Sequence, residues 1–230
     1  MNILITRPLI DAEDMMQKLF SSGHKIFHLP TLKITSNNSS PINSDDYDAF
    51  IFTSANAIRH LNLKNNNKKI QCFCVGTMTE KIARQNGFTN TISAGGTVNA
   101  LKNLILISDK VNKKSKLAYF CGDHISYDLE GELKKEGFQI DKIINYQSTK
   151  ITELNNENKN LLSQYPPDLV YIYSLRSAES FIDIVKNYSL TQLMTHSKVM
   201  CISEKIAKAF KLVGWNKIEV FNSGEELLRI

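Results

Sequence analysis

The chain carries two copies of one pattern. Asp48-Ala-Phe-Ile-Phe-Thr-Ser54 reappears as Asp168-Leu-Val-Tyr-Ile-Tyr-Ser174; each is an apolar run that closes on a hydroxyl residue and leads into a short polar turn and a helical pattern. A second element repeats as well. Cys74-Val-Gly76 stands as far ahead of Gly87-Phe88 as Cys201-Ile-Ser203 stands ahead of Gly214-Trp215. A duplicated supersecondary unit builds two similar bodies, and a ligand most naturally sits in the cleft between them. At 230 residues there is room for two small domains.

Short apolar runs alternate with helical patterns almost throughout. Strands are expected at Asn2–Thr6, Lys25–Leu29, Ala49–Thr53, Ile70–Val75, Thr89–Ser93, Leu117–Cys121, Gln139–Tyr146, Leu169–Tyr173, Lys198–Ile202 and Lys217–Phe221. Most are nearly continuous in apolar residues, the pattern of strands buried on both faces of a parallel sheet. The intervening helices carry one-sided stripes, such as Ala12, Met15, Met16 and Leu19, or Ile206, Ala209, Phe210 and Val213. Gly23, Gly87, Gly137 and Gly214 each fall where a helix should stop. The pattern is α/β, with two doubly wound parallel-sheet domains.

Matching the copies gives the connectivity. The expected strands from Ala49 to Tyr146 form one contiguous set, whereas the other set is split around it. Ile3-Leu-Ile-Thr-Arg7 precedes Gly23 by the same spacing that separates Leu117-Ala-Tyr-Phe-Cys121 from Gly137. One domain, 41–146, is therefore expected to be inserted into an outer one made of 1–34 and 149–230, and to be circularly rotated relative to it. The linkers fall at 35–40 and 147–148. Two linkers make a hinge, so opening and closing are expected.

Composition is ordinary, at 42% hydrophobic and 22% charged, with Asn-rich patches such as Asn65-Asn66-Asn67 read as solvated loops. The net charge of +5 suits an anionic ligand, and also suits many proteins without one. No block of five like charges occurs, and basic residues do not interleave with aromatics, so no nucleic acid is expected as a partner. No apolar run approaches the ~20 residues that span a bilayer, so no membrane association is expected. The sequence opens on a strand without a signal pattern, which predicts a cytoplasmic protein. Cys72, Cys74, Cys121 and Cys201 all fall in strands, and no second ligand pair follows at zinc spacing. They read as reduced thiols, with no metal site. A cleft within one chain predicts a monomer.

In open α/β sheets, ligands bind beyond the C-terminal strand ends, where helix N-termini present unpaired N–H groups. Those positions are Thr6-Arg7-Pro8, Thr53-Ser54-Ala55-Asn56, Gly76-Thr77-Met78-Thr79, Cys121-Gly122-Asp123, Tyr173-Ser174-Leu175-Arg176-Ser177 and Ser203-Glu204. They are small, hydroxylic and poor in charge. That composition suits helix capping, and it equally suits backbone binding of carboxylates or phosphates. The glycines match neither the dinucleotide fingerprint nor a P-loop, and no Ser/His/Asp order or H-E-x-x-H occurs. His24, His28 and His60 read as structural, and His124 is the histidine at a ligand edge.

In this order, several segments form a recognisable set. They are Ile5-Thr6-Arg7-Pro8, Gly23-His24, Leu29-Pro30, Phe52-Thr53-Ser54-Ala55-Asn56-Ala57, Val75-Gly76-x-x-Thr79, Cys121-Gly122-Asp123 and Asn145-Tyr146-Gln147. The chain resembles the uroporphyrinogen-III synthase family over essentially its whole length. The resemblance implies an inserted pair of flavodoxin-like domains joined by a two-stranded linker. It implies a small-molecule substrate, hydroxymethylbilane, a linear tetrapyrrole bearing eight carboxylates. The family removes the terminal hydroxyl as water, closes the macrocycle and inverts ring D through a spiro intermediate, with no cofactor. Without an enzyme the substrate closes to the uninverted isomer, so catalysis is largely a matter of holding the reactive ends.

Carried over by matching position, Tyr146 and Thr79 take catalytic roles. Arg7, Thr53, Ser54, Asn56, Gly76, Gly122, Asp123, Ser174, Arg176, Ser177 and Ser203 take substrate-binding ones. The chain departs from the family at Ser203-Glu204-Lys205-Ile206, where many relatives carry Gly-Pro-x-Thr, so the counterpart of Thr79 is Ile206. The alternative is a two-lobed small-anion binding protein without catalysis. A flavodoxin-like electron carrier would need a Ser/Thr/Gly phosphate loop after the first strand, which Thr6-Arg7-Pro8-Leu9 does not offer.

Overall fold

The protein is described by a computed structural model over residues 1–37, 40–65, 67–222 and 224–229, with 228 and 229 as backbone alone. Asn38 and Ser39 of the expected linker 35–40, and Asn66 of the asparagine patch, lie outside the described residues. The strands are β1 Asn2–Ile5, β2 Lys25–His28, β3 Leu32–Ser36, β4 Ala49–Phe52, β5 Gln71–Cys74, β6 Thr91–Ser93, β7 Lys116–Gly122, β8 Gln139–Lys150, β9 Leu169–Ile172, β10 Lys198–Cys201 and β11 Ile218–Val220. The α-helices are α1 Leu9–Ser21, α2 Ala55–Arg59, α3 Thr77–Gln85, α4 Val98–Ile107, α5 Leu129–Lys135, α6 Asn156–Gln164, α7 Leu175–Asn187, α8 Thr191–Met194 and α9 Glu204–Lys211.

The chain divides into two compact units. The outer one comprises Met1–Lys33 and Thr149–Ile230, and the inserted one comprises Ile34–Ser148. The outer sheet has the order β11-β10-β9-β1-β2 and is parallel throughout. The inserted sheet has the order β3-β8-β7-β4-β5-β6. With β3 set aside, the two orders coincide when β7 stands for β1, β8 for β2, and β4, β5 and β6 for β9, β10 and β11. One sheet is the other with its chain order rotated, as the glycine spacing implies.

The repeated aspartate has the same task in both units. Asp48 precedes β4, and its carboxylate accepts the Lys116 N–H at 2.7 Å, while its own N–H donates to the Lys116 carbonyl at 2.9 Å. Asp168 precedes β9, and does the same with Asn2, at 2.7 Å and 2.8 Å. Each aspartate thus clips the start of a central strand to the start of its neighbour, satisfying main-chain groups before the ladder begins.

Two strand features were not legible as runs. β3 alternates polar and apolar residues and lies at the edge of its sheet, so it lacks the continuous apolar signal of a central strand. β8 continues to Lys150, past the stop expected at Tyr146. The helix-stopping glycines behave as expected: Gly87 after α3 has φ of +90° and Gly214 after α9 has φ of +88°, a region closed to most side chains.

Apolar residues pack on both faces of each sheet. In the inserted unit Phe50, Phe52, Phe88 and Phe120 share one face, while Ile51, Phe73 and Tyr119 pack on the other. In the outer unit Phe181, Phe210 and Trp215 anchor one face, and Ile3, Ile5 and Tyr171 the other.

A buried knot of hydroxyls sits where the outer unit releases and receives the chain. Thr31, just ahead of β3, places Oγ1 2.5 Å from the Ser177 Oγ, which also lies 3.3 Å from the Thr6 Oγ1. The Ser180 hydroxyl donates toward the carbonyls of Thr31, at 2.8 Å, and Ile151, at 2.7 Å. Thr31 and Ile151 are themselves joined by a main-chain hydrogen bond of 2.9 Å. Ser180→Ala removes the shared donor and is expected to cost about 1–2 kcal/mol. Urea unfolding checks it, and an unchanged midpoint would mean that the knot contributes nothing to stability.

Candidate active site

The order of the inserted sheet brings the ends of β8, β7, β4, β5 and β6 into one row. Tyr146 stands in β8, half-buried, beside Gly122 at the end of β7. A β-carbon built on Gly122 would lie 2.7 Å from Cε2 and Cζ of the Tyr146 ring, so the ring packs directly against the glycine. Burial raises the Tyr146 phenol above its ordinary value. Hydrogen bonds with the Ser54 side chain and the Gly122 backbone oppose that shift without cancelling it, and Cys121 and Asp123 reinforce it electrostatically. The phenol is therefore a protonated donor at neutral pH.

Ser54 is the N-cap of α2, and its Oγ accepts the Asn56 N–H at 3.1 Å. The Asn56 side chain accepts from Arg59 at 3.0 Å. Thr53 lies 3.2 Å from the Tyr119 hydroxyl, which burial keeps protonated far into the alkaline range. Asp123 closes the β7 end: its N–H donates to the Tyr146 carbonyl at 3.1 Å, and its Oδ1 accepts the Ser148 N–H at 3.0 Å and pairs with His124 at 3.0 Å.

Gly76 is the N-cap of α3, and Thr79 lies in the first turn of that helix, 6% exposed. A β-carbon on Gly76 would approach the Gly96 Cα to 3.3 Å, and the Gly96 N–H donates to the Val75 carbonyl at 2.7 Å. The two turns close on one another because both lack side chains. Gly95-Gly96-Thr97, between β6 and α4, thus belongs to this edge; a Gly-Gly-Thr turn after a strand was the signal for it.

The outer edge is organised on the same plan with different chemistry. Ser174 caps α7 by accepting the Ser177 N–H at 3.0 Å. Arg7 follows β1 with its guanidinium 4.2 Å from the centre of the Tyr173 ring, and its carbonyl meets the His28 Nε2 at 2.8 Å. Arg176 is half-buried in the first turn of α7. Ser177, 5% exposed, is committed to the hydroxyl knot with Thr31 and Thr6. Ser203 caps α9 by accepting the Ile206 N–H at 3.4 Å, and Ile206 is sunk in the core, 2% exposed.

Sequence reasoning read His60 as structural, without a link to Tyr146. It follows α2, and its ring faces Tyr146 with centroids 6.1 Å apart and planes 27° apart. Burial first, and Arg59 second, lower its pKa, so the imidazole is neutral at pH 7. No spacing signal could link it to a tyrosine so distant in sequence.

The four cysteines are buried and free. Burial pushes Cys74 up to about 12 and Cys121 up to about 11, so neither supplies a thiolate at neutral pH. Among the described residues no group of three or more His, Cys, Asp and Glu is placed to hold a metal ion. No helix among them is long and apolar enough to cross a membrane.

The fold and these edges define an α/β protein of two units, one inserted in the chain of the other, each with a mostly parallel sheet whose strand ends present hydroxyls and backbone donors, and in the inserted unit a buried phenol. The model of the family described as Uroporphyrinogen-III synthase HemD matches residues 13–220. The chain belongs to that family, cyclising lyases of porphyrin and heme biosynthesis. Solved structures agree in fold. Uroporphyrinogen-III synthetase from Helicobacter pylori aligns at a TM-score of 0.66 and 16% identity, covering 99% of this chain and 96% of that one. A mutant uroporphyrinogen III synthase from the extremely thermophilic bacterium Thermus thermophilus aligns at 0.57 and 14% identity, covering 98% and 94%. No curated protein sequence matches.

Proposed function

We propose that this chain converts hydroxymethylbilane to uroporphyrinogen III, with Tyr146 as the proton donor. The observation that carries the mechanism is the half-buried phenol of Tyr146, kept protonated and hydrogen-bonded to Ser54 beside the end of β7. The substrate's terminal C–O bond breaks with a proton from Tyr146, and water leaves. The pyrrole N–H of the same ring gives up a proton as the azafulvene forms, so the phenol can be restored. The azafulvene carbon then meets the substituted carbon of ring D, and the spiro intermediate reopens and recloses with that ring inverted. The sequence is redox-neutral and uses no cofactor.

Ser54 accepts from Asn56, so its own proton is available to the phenol oxygen, which leaves the phenol proton free for the substrate. Thr79, in the first turn of α3 and 6% exposed, is assigned the second catalytic role by its match to the family position. Arg7, Arg176, Ser174 and Ser203 in the outer unit, and Thr53, Asn56, Gly76 and Gly122 in the inserted one, each take a share of the carboxylates, through side chains or backbone donors, while Asp123, committed to Tyr146, Ser148 and His124, holds this edge in place. Ser177 shapes the outer edge rather than binding: its N–H goes to the Ser174 Oγ and its hydroxyl to Thr31. The units act as domains, 1–34 with 149–230 and 41–146, linked through 35–40 and 147–148. The enzyme works as a cytoplasmic monomer without nucleic acid.

The test generates hydroxymethylbilane in situ with its upstream deaminase, adds this protein, and separates the product isomers by chromatography. The III isomer is expected to dominate. A product no richer in III than the spontaneous mixture would refute the reading.

A further inference from the structure

We propose that α2 is a brace for the Tyr146 phenol, with Ser54 at its start, His60 just past its end and Gly122 beneath the ring acting as positioning residues. The inference rests on the reading of Tyr146 as proton donor and goes beyond it, by naming what aims the proton.

Two contacts of one short helix meet the Tyr146 side chain, and a third holds its neighbour in β8. The cap Ser54 hydrogen-bonds the phenol, and His60, the residue that ends the helix, lays its ring along the tyrosine at 6.1 Å and 27°. Between them, Asn145, the neighbour of Tyr146 in β8, donates its side-chain N–H to the Ala57 carbonyl in the middle of α2, at 2.6 Å. Asn145 is buried, and its Oδ1 has no hydrogen-bond partner. A polar residue with an idle buried oxygen is costly, and the bond to α2 is what its amide supplies.

Gly122 completes the seat from below. Its φ is not among the positive values of the chain, so the backbone there would accept any residue. The need for glycine is spatial: a methyl group would occupy the place of Cε2 and Cζ. Gly122, His60 and Ser54 together hold the ring and its hydroxyl in one seat.

The test uses the full chain with 3-fluorotyrosine at position 146 alone, comparing wild type, His60→Ala, His60→Phe and Gly122→Ala. In His60→Ala and Gly122→Ala, kcat is expected to fall about tenfold with KM changed less than about twofold, as a misaimed donor requires. The 19F titration midpoint of residue 146 should fall in both, because the ring leaves its buried seat. His60→Phe keeps a flat ring and should restore both readouts. Unchanged kcat and midpoint in His60→Ala and Gly122→Ala would overturn the proposal, as would a loss in His60→Ala that Phe does not restore. The fluorine signal needs no turnover. Should the wild type make no III isomer, the midpoints still decide whether the brace exists, separately from the failure of the synthase reading.

Discussion

Tyr146→Phe should lower the rate of uroporphyrinogen III formation by about a hundredfold, the low end of the effect of a positioned proton donor. Its thermal transition should stay close to wild type. The ring keeps its packing on Gly122 and the aromatic cluster around Phe52 and Phe120, and what is lost is the phenol's hydrogen bonding with the Ser54 side chain and the Gly122 backbone. Such a bond is worth about 1 kcal/mol. The pH profile adds a second check. Burial raises the phenol, so it stays protonated as pH climbs through the neutral range and past the ordinary tyrosine value of about 10. The wild-type rate should therefore show no alkaline decline from this group below that pH. Comparing isomer ratios at equal substrate consumption measures both, because lost catalysis lets the spontaneous I isomer accumulate. Near-wild-type turnover in Tyr146→Phe would reduce Tyr146 to a packing residue.

Phe50→Ala should have the largest effect on stability. Phe50 is fully buried in β4 and meets Tyr47, Phe52, Phe88 and Phe120 ring to ring, the closest being Phe120 at 5.0 Å and 81°. Truncation removes the transfer energy of the ring, leaves a cavity that flat neighbours cannot fill, and forfeits four edge contacts at once. The expected cost is about 3–5 kcal/mol. Against a total of about 5–15 kcal/mol for a typical protein, this is a large share of the stability. Phe50→Leu restores part of the volume and should recover much of the loss. Circular dichroism melting of the two variants tests the claim, and a loss below about 1 kcal/mol in Phe50→Ala would contradict the packing described.

What the sequence revealed follows from burial. Central strands such as β4 and β9 are apolar from end to end because both faces are covered, and their hydroxyl-closing ends mark where helices start. The edge strand β3 alternates, and its signal is too short to separate from a turn. At the site, Ser54, Ser174 and Gly76 were legible because a cap is local, set by the few residues after it. The roles of His60 and Gly122 were not. Both depend on β8 lying beside β7 and on α2 lying over β8, neighbourhoods that sheet order creates between distant segments. Ser177 shows the converse. Its place at a helix start pointed to a ligand, but its hydroxyl is spent inside the protein, on Thr31.

The rotated arrangement also bears on how the chain reaches its native state. Each unit holds its own two junction segments together: Ile151 donates to Thr31 in the outer unit, and Asn37 donates to the Asn145 carbonyl in the inserted one. During synthesis the outer sheet cannot join β1 to β9 until the whole insertion has emerged. If the intervening chain were still random coil, closing roughly 120 residues rather than a handful would cost about 3 kcal/mol more in loop entropy. An insertion that has already folded, with its ends hydrogen-bonded side by side, presents the outer chain with a short turn instead. The connectivity thereby favours one order of assembly, in which closure of the guest domain lowers the entropic barrier for the host.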